Sequence, residues 1–399
     1  MPLASTRTYD KKSLVLEEID KAMETAMFYG FIPVRKPKIR REDLSLSDDC
    51  RECLLARRDT DKELEKYHRL EHKIGVLRSY LDGHFQKLPT PTMVCFKGQT
   101  NPQKNSTTIL NLLVLGQQES VAEAIVMKAT TAILSEQREE PLRIEINHVG
   151  DRECFSRFER DFLNYTKKNA GNLPPELKTH LEVGIEEIFR QYKDLEGLEE
   201  FWASAPKPLN YLDQNNINHF REILEYLEHL EMPYSLNHFL IPSWNNCHKT
   251  IFQIKNESGE ILALGLRYCG ITKKLGLRKE VPIIYVSVKN RSPKQKTKNT
   301  KKLKPKIFLM HLGNKAKAKS LLVIEALRKA EIPTYHALTK DRLSNQISVA
   351  EKFRFSYVLI IGEKEVLENS IIVRNNDSRI QEIVPISELV KYLKRVVGV

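Results

Sequence analysis

The chain predicts two units of different class: an α+β core over residues 1–288 and a smaller α/β unit over residues 307–399, joined by a polybasic linker at 289–306. Three observations carry this expectation. In the first part, strand-like runs flank a mostly helical region at about 155–231, the segregated pattern of an α+β fold. Beyond residue 306, apolar runs alternate with helical segments, as in an α/β unit with a largely parallel sheet. Between them lies KNRSPKQKTKNTKKLKPK, which has nine cations from Lys289 to Lys306, no acid, and nine of the twelve net positive charges.

Each element has a local reason. Ser13 is a candidate cap for a helix whose Leu16, Ile19, Met23 and Met27 recur at helical spacing, ended by Tyr29 and Gly30. Phe31 to Pro37 reads as a strand closed by proline, and residues 43–66 as a charged helical stretch. Met93 to Phe96 and Thr108 to Leu115 read as strands around a polar loop, followed by a helix from Val121 to Leu134 and an alternating strand from Ile144 to His148. Phe155, Phe158, Phe162 and Tyr165 share one helical face, and Phe220, Ile223, Leu224, Leu227 and Leu230 another; such stripes are core-forming. Strand character returns at 250–255, 261–268 and 282–288. In the second unit, strands are expected at 307–312, 332–338, 357–361, 370–374 and 382–386. Helices fall at 315–330 and 344–353, and Ser387 would cap a last one.

Bulk properties exclude several classes. A length of 399 residues and 41% hydrophobic content suit an ordinary globular protein of two or three cores. No run approaches the ~18–20 apolar residues of a membrane span, and the first thirty residues lack a signal-peptide pattern. A cytoplasmic protein with no membrane partner is expected. Six cysteines then read as thiols. Cys50 and Cys53, followed by His68 and His72, fall within the loose spacing of a zinc site. The basic run is either a solvated, self-repelling linker or a phosphate contact made by Lys294, Lys296, Lys298, Lys301, Lys302 and Lys304.

Leu312-Gly-Asn-Lys-Ala-Lys-Ala, Leu327-Arg-Lys-Ala-Glu-Ile-Pro, Ile360-Ile-Gly-Glu-Lys-Glu and Ile372-Val-Arg-Asn-Asn resemble the anticodon-binding domain of histidyl-type class II aminoacyl-tRNA synthetases, and the resemblance extends over nearly the whole chain. Phe28 to Pro37 resembles motif 1, which implies a homodimer interface. His68 to Arg78 resembles the segment whose acid holds the substrate amino group, with Arg69, Glu71 and Arg78 matching. That resemblance accounts for His68 and His72 without zinc. It implies a class II core, an antiparallel sheet flanked by helices, plus an α/β anticodon-binding-type domain, with tRNA or another structured RNA as partner. Arg342, Asn345, Gln346 and Arg374 are the candidate RNA contacts.

Where the chemistry should lie, the resemblance breaks. The motif 2 arginine and acid positions read Gly98 and Thr100, and the motif 3 arginine position reads about Ser292. In the histidine signature the arginine is Pro242, the aspartate Asn245, and the two tyrosines Asn246 and Cys247. In the glycine-rich pocket strand the aspartate is Cys269, while Arg267 and Tyr268 are kept. Activation of an amino acid places charge on a reacting phosphate, which fixed cations must meet in advance. A charge-assisted hydrogen bond contributes about 1.5–3 kcal/mol. Losing two arginines and the pocket's polar groups costs on the order of 5–10 kcal/mol, at about 1.4 kcal/mol per decade of rate. The expectation is a non-catalytic RNA-binding protein without a cofactor. The alternatives are a regulatory or accessory subunit with a protein partner, similar to the ATP phosphoribosyltransferase regulator or a polymerase accessory subunit, and a divergent ligase.

Overall fold

In the computed structural model, described for residues 19–36, 70–81, 91–99, 108–138, 140–174, 185–241, 249–268, 272, 279–290 and 305–397, the strands assemble into two sheets. The larger holds β1 (Ile32–Pro33), β2 (Thr92–Gln99), β3 (Thr108–Leu115), β4 (Arg143–His148), β5 (Tyr234–Leu236), β6 (Thr250–Lys255), β7 (Ile261–Tyr268) and β8 (Ile283–Asn290). Their order is β1-β2-β3-β8-β7-β6-β4-β5. The pairings from β2 to β4 are antiparallel, whereas the edges β1 and β5 run parallel to their neighbours.

Helices cover one face of this sheet. They are α1 (Lys21–Phe28) and, beyond α2 (Leu70–Leu81), α3 (Val121–Gln137). After α4 (Arg152–Lys168), α5 (Ile185–Tyr192) and α6 (Glu199–Ser204), the helix α7 (Gln214–His229) completes that layer. Asp20, not Ser13, caps α1, its carboxylate accepting from the Met23 amide at 2.9 Å; Ser13 lies outside the described residues. Met23 is buried as expected, but Met27 is 43% exposed. The buried stripe runs through Ala22, Met23 and Ala26, and Met27 sits about 100° round the helix from Ala26. On the opposite face, Ile74, Val76 and Leu77 of α2 pack with Val94, Phe96, Leu113, Leu266, Tyr268 and Tyr285. The expected aromatic stripe of α4 builds a separate core with Phe189, Phe201 and Trp202, where the Trp202 indole donates to the Tyr192 carbonyl at 2.9 Å.

The second sheet has order β10-β9-β11-β12-β13, from β9 (Ile307–His311), β10 (Thr334–His336), β11 (Tyr357–Ile361), β12 (Ser370–Asn375) and β13 (Gln381–Pro385). The parallel expectation holds for β10, β9 and β11; β12 and β13 are antiparallel. The chain explains the split. A parallel return needs a dozen or more residues, and only 362–369 and 376–380 connect the last three strands. Helices α8 (Asn314–Lys329) and α11 (Leu389–Val397) cover one face, and α9 (Leu343–Phe353) packs on the other beside Phe308, Met310 and Phe355. Ser387 does not cap α11 directly; it lies in a preceding 3-10 turn, Ile386–Glu388. The Gly362-Glu-Lys-Glu turn opens α10 (Glu363–Leu367), and its Gly362 amide donates to Glu365 Oε2 at 2.9 Å.

The two units share one core, because α8 lies against α1, α3 and α7. Polar contacts fasten the junction. Tyr29 donates to Glu325 Oε2 at 2.5 Å, Lys317 pairs with Glu119 at 3.1 Å and with Asp341, and Arg328 joins Glu325 to Glu136. The strand β8 carries through Asn290, so Lys289, read as the first linker cation, is a sheet residue paired with Glu260 at 3.1 Å. Among the described residues, no helix is long and apolar enough to cross a membrane.

Candidate functional site

The centre of the large sheet is where the sequence places its candidate pocket. Side chains alternate along a strand, so Arg267 and Tyr268 cannot line one pocket together. The structure puts Leu264, Leu266 and Tyr268 on the face shared with α2, and Arg267 on the face covered by α3. There the Arg267 guanidinium, 2% exposed, reaches both oxygens of Glu123, with Nε to Oε1 at 2.5 Å. It also donates to the carbonyls of Gln117 and Glu119 at 2.8 and 3.3 Å. His219 Nε2 and Thr250 Oγ1 approach the same Glu123 oxygen at 3.1 and 3.3 Å. Burial alone would raise the Glu123 carboxyl, but the charge and hydrogen bonds of Arg267, then His219, hold it at about 2. The expectation of Arg267 as a pocket cation is therefore corrected: its charge is neutralised inside the protein.

Beside this node, His148 is fully buried. Its Nδ1 accepts from the Gly150 amide at 3.0 Å, while Nε2 has no hydrogen-bond partner among the described residues. Burial first, then His219, pushes it down to about 3, so it stays neutral. Glu123 was not singled out from the sequence. A detectable signal existed: it is the lone carboxylate among Val121 to Leu134, whose apolar residues are buried on nearly every side, and a fully buried acid needs a cation.

Internal groups occupy two further positions. Gly98 stands where the motif 2 arginine is expected, and a Cβ there would come within 3.2 Å of the Asn111 amide. Asn111, 2% exposed, accepts from the Tyr285 hydroxyl at 2.7 Å and Ser287 at 3.0 Å and donates to the Phe96 carbonyl. Burial pushes the Tyr285 hydroxyl far above its usual range, against the bond from Ser287. At Gly265, a Cβ would sit 2.2 Å from the ring of Phe252, its register partner on β6. The space this glycine leaves is filled by an aromatic side chain.

Other candidates scatter. Arg78 is half-buried in the last turn of α2, two turns after Glu71. Arg69, Cys50, Cys53, His68, Thr100, Pro242, Asn245, Asn246, Cys247, Cys269, Ser292 and the linker lysines from Lys294 to Lys304 lie outside the described residues, as do the side chains of Glu71 and His72. Among the described residues, one grouping has metal-ligand chemistry, Asp151, Cys154 and Asp213. Both of its carboxylates already cap helices, Asp151 at α4 and Asp213 at α7. In the C-terminal unit Arg342 and Asn345 are exposed and Arg374 is half-buried. Gln346 is not available to RNA. It is fully buried, with Oε1 accepting from the His311 amide at 3.1 Å and Nε2 donating to the carbonyls of His311 and Lys340, both at 2.9 Å.

Residues 306–396 match the family described as anticodon binding domain. The histidine–tRNA ligase of Symbiobacterium thermophilum is 23% identical over 95% of this chain and 93% of that protein. Those of Geobacillus sp. and Protochlamydia amoebophila are 27% and 26% identical, covering 63% of this chain and 62% and 61% of theirs. Among solved structures, apo S. aureus histidyl-tRNA synthetase aligns with a TM-score of 0.48 at 19% identity, over 93% of both chains. An ATP phosphoribosyltransferase regulatory subunit/histidyl-tRNA synthetase from Bacillus halodurans aligns at 0.44 and 11%, over 89% of this chain and 98% of that one.

Proposed function

Starting from a histidyl-tRNA-synthetase-like chain of class II architecture with a C-terminal anticodon binding domain, we propose that this protein binds tRNA or a tRNA-like RNA and does not activate histidine. The observation that carries the binding half is the match of residues 306–396 to the anticodon binding domain. That domain presents Arg342 and Asn345 to solvent and directly follows the basic segment. The segment supplies backbone attraction without reading sequence, and the domain supplies register. Support for the silent core comes from its closed centre. The Arg267 charge is neutralised by Glu123, Asn111 stands beside the missing motif 2 arginine, and Phe252 fills the space at Gly265. Among the described residues of these strands, Lys97, Arg267 and Lys289 pair with Asp20, Glu123 and Glu260, whereas activation needs fixed cations directed at phosphate. In this reading the chain works as a homodimer through its motif 1 segment.

The test joins two assays on the full chain. ATP–pyrophosphate exchange with each amino acid should stay at background. Filter binding should retain tRNA over a size-matched unstructured RNA, with log affinity falling linearly against log salt. Exchange above background with any amino acid refutes the silent core. Absence of RNA retention at low salt refutes the binding half and turns the reading toward a regulatory or accessory subunit. Gln346→Ala is a useful control: it should lower thermal stability while leaving the salt slope unchanged.

A further inference from the structure

The C-terminal sheet ends on β13, whose outer edge pairs with no described strand. The ladder with β12 fixes which way the β13 backbone points. Asn375 donates to the Ile380 carbonyl at 2.9 Å, and Ile386 to the Asn369 carbonyl at 3.0 Å. Hydrogen-bonded and non-bonded pairs alternate along an antiparallel ladder. The pairs Arg374–Gln381, Ile372–Ile383 and Ser370–Pro385 are therefore the non-bonded ones, and the amides of Gln381 and Ile383 point outward. Side chains alternate as well. Val384 is buried with Ile371 and Val373 under α8 and α11, whereas Ile383 lies on the opposite face beside half-buried Ile372. On that face the α9 cluster includes Phe308, Met310 and Val358 but no residue of β12 or β13. Ile383 is left 63% exposed, and Ile380, just before the strand, 59%. An exposed apolar edge is a template for a further strand unless charge or proline blunts it. Here Glu382, the charged residue of β13, projects to the helix-covered face with Val373, and Pro385 comes last.

We propose that the outer edge of β13 pairs antiparallel with the same edge of a second copy of this chain, in a two-fold contact centred on Ile383. The strand Gln381-Glu-Ile-Val-Pro385 is self-complementary in that register. Each Ile383 amide meets the Ile383 carbonyl of the other copy. Each Gln381 amide meets the carbonyl of Pro385, whose missing N–H falls at the end of the ladder. Ile383 packs beside its counterpart and Glu382 stands opposite Val384, so no like charges face one another directly. This match of the strand to itself makes a second copy the occupant. An edge of 5 residues buries less than the roughly 1,200 Å² of a standard interface, so the association is weak and concentration-dependent. The contact lies in a different unit from the motif 1 segment. With the homodimer proposed there, it gives a closed tetramer or an open chain.

The experiment is sedimentation velocity on the full chain over a wide concentration range at constant ionic strength, repeated on Ile383→Lys and Gln381→Pro. Both positions are exposed, and the Gln381 amide makes no bond to β12, so both variants keep the fold. Wild type should associate reversibly with a Kd of roughly 10–100 µM, and each variant should weaken that step about tenfold or more. Ile383→Cys adds a geometric readout. Residues directly opposite in a bonded pair lie about 5.5 Å apart, within disulfide reach. Mild oxidation should therefore give, by mass spectrometry, a peptide joining position 383 to itself. Ile380→Cys does not meet its counterpart in this register and should give none. The proposal is overturned if wild type associates no more than the two variants do, or if position 380 cross-links to itself as readily as 383. It is also overturned if Ile383→Lys leaves assembly unchanged and weakens RNA retention, since the edge would then belong to an RNA surface.

Discussion

Glu123→Gln keeps the side-chain shape and deletes the charge that balances Arg267. The guanidinium, 2% exposed, would keep its bonds to the Gln117 and Glu119 carbonyls at 2.8 and 3.3 Å but lose the Glu123 carboxylate. Removing one member of a buried pair costs roughly 3–5 kcal/mol. The titration gives a second figure. The Glu123 carboxyl sits at about 2, against an ordinary 4.5, a gap of about 3 kcal/mol at 1.36 kcal/mol per pH unit. The sign follows from that depression. The folded carboxyl binds its proton less readily than the unfolded one, so its stabilisation is complete above pH 4.5 and is lost as pH falls toward 2. Urea unfolding followed by circular dichroism should place Glu123→Gln about 3–5 kcal/mol below wild type at pH 7. That difference should hold to about pH 5 and narrow below pH 4.5. Glu123→Gln with Arg267→Met should recover much of the loss, because an apolar replacement of the pair leaves no uncompensated charge. A single variant within about 1 kcal/mol of wild type at pH 7 would refute the reasoning, as would a difference that widens with acid.

Two further outcomes follow from the same geometry. Gly265→Ala drives a methyl group into Phe252 at 2.2 Å and should cost about 1–3 kcal/mol; adding Phe252→Leu should restore most of the melting temperature, and failure to do so would point to backbone strain instead. The third prediction concerns acid. His311 is buried and His336, with its Nε2 buried, rests against Gly30 across the junction; burial pushes both rings down to about 4. Lys317 and His336 add to the depression of His311, Asp341 opposes it, and a backbone bond to Tyr29 opposes it at His336. The unfolded rings take protons first, so stability should fall from pH 6.5 down to about pH 4. His336→Phe should flatten that limb in urea titrations, and an unchanged slope would mean the ring is hydrated.

What the sequence determined by itself is local. Period-two alternation marks β4, helical spacing marks α4 and α7, and the loops between β11 and β13 are visibly too short for parallel returns. Such patterns survive in consecutive residues because each element selects its own periodicity. The motifs of the C-terminal unit were legible for the same reason, down to the Gly362 to Glu365 turn. Alternation also held the information that Arg267 and Tyr268 face opposite ways, but not which face the helices would cover. That was decided by packing between positions 144 residues apart, Glu123 and Arg267. Tertiary structure likewise buried Gln346 against His311 and seated α8 on α1 and α3. The physical reason is that a side chain's type is fixed by sequence, while its partner, its solvation and therefore its charge state depend on which distant element is folded against it.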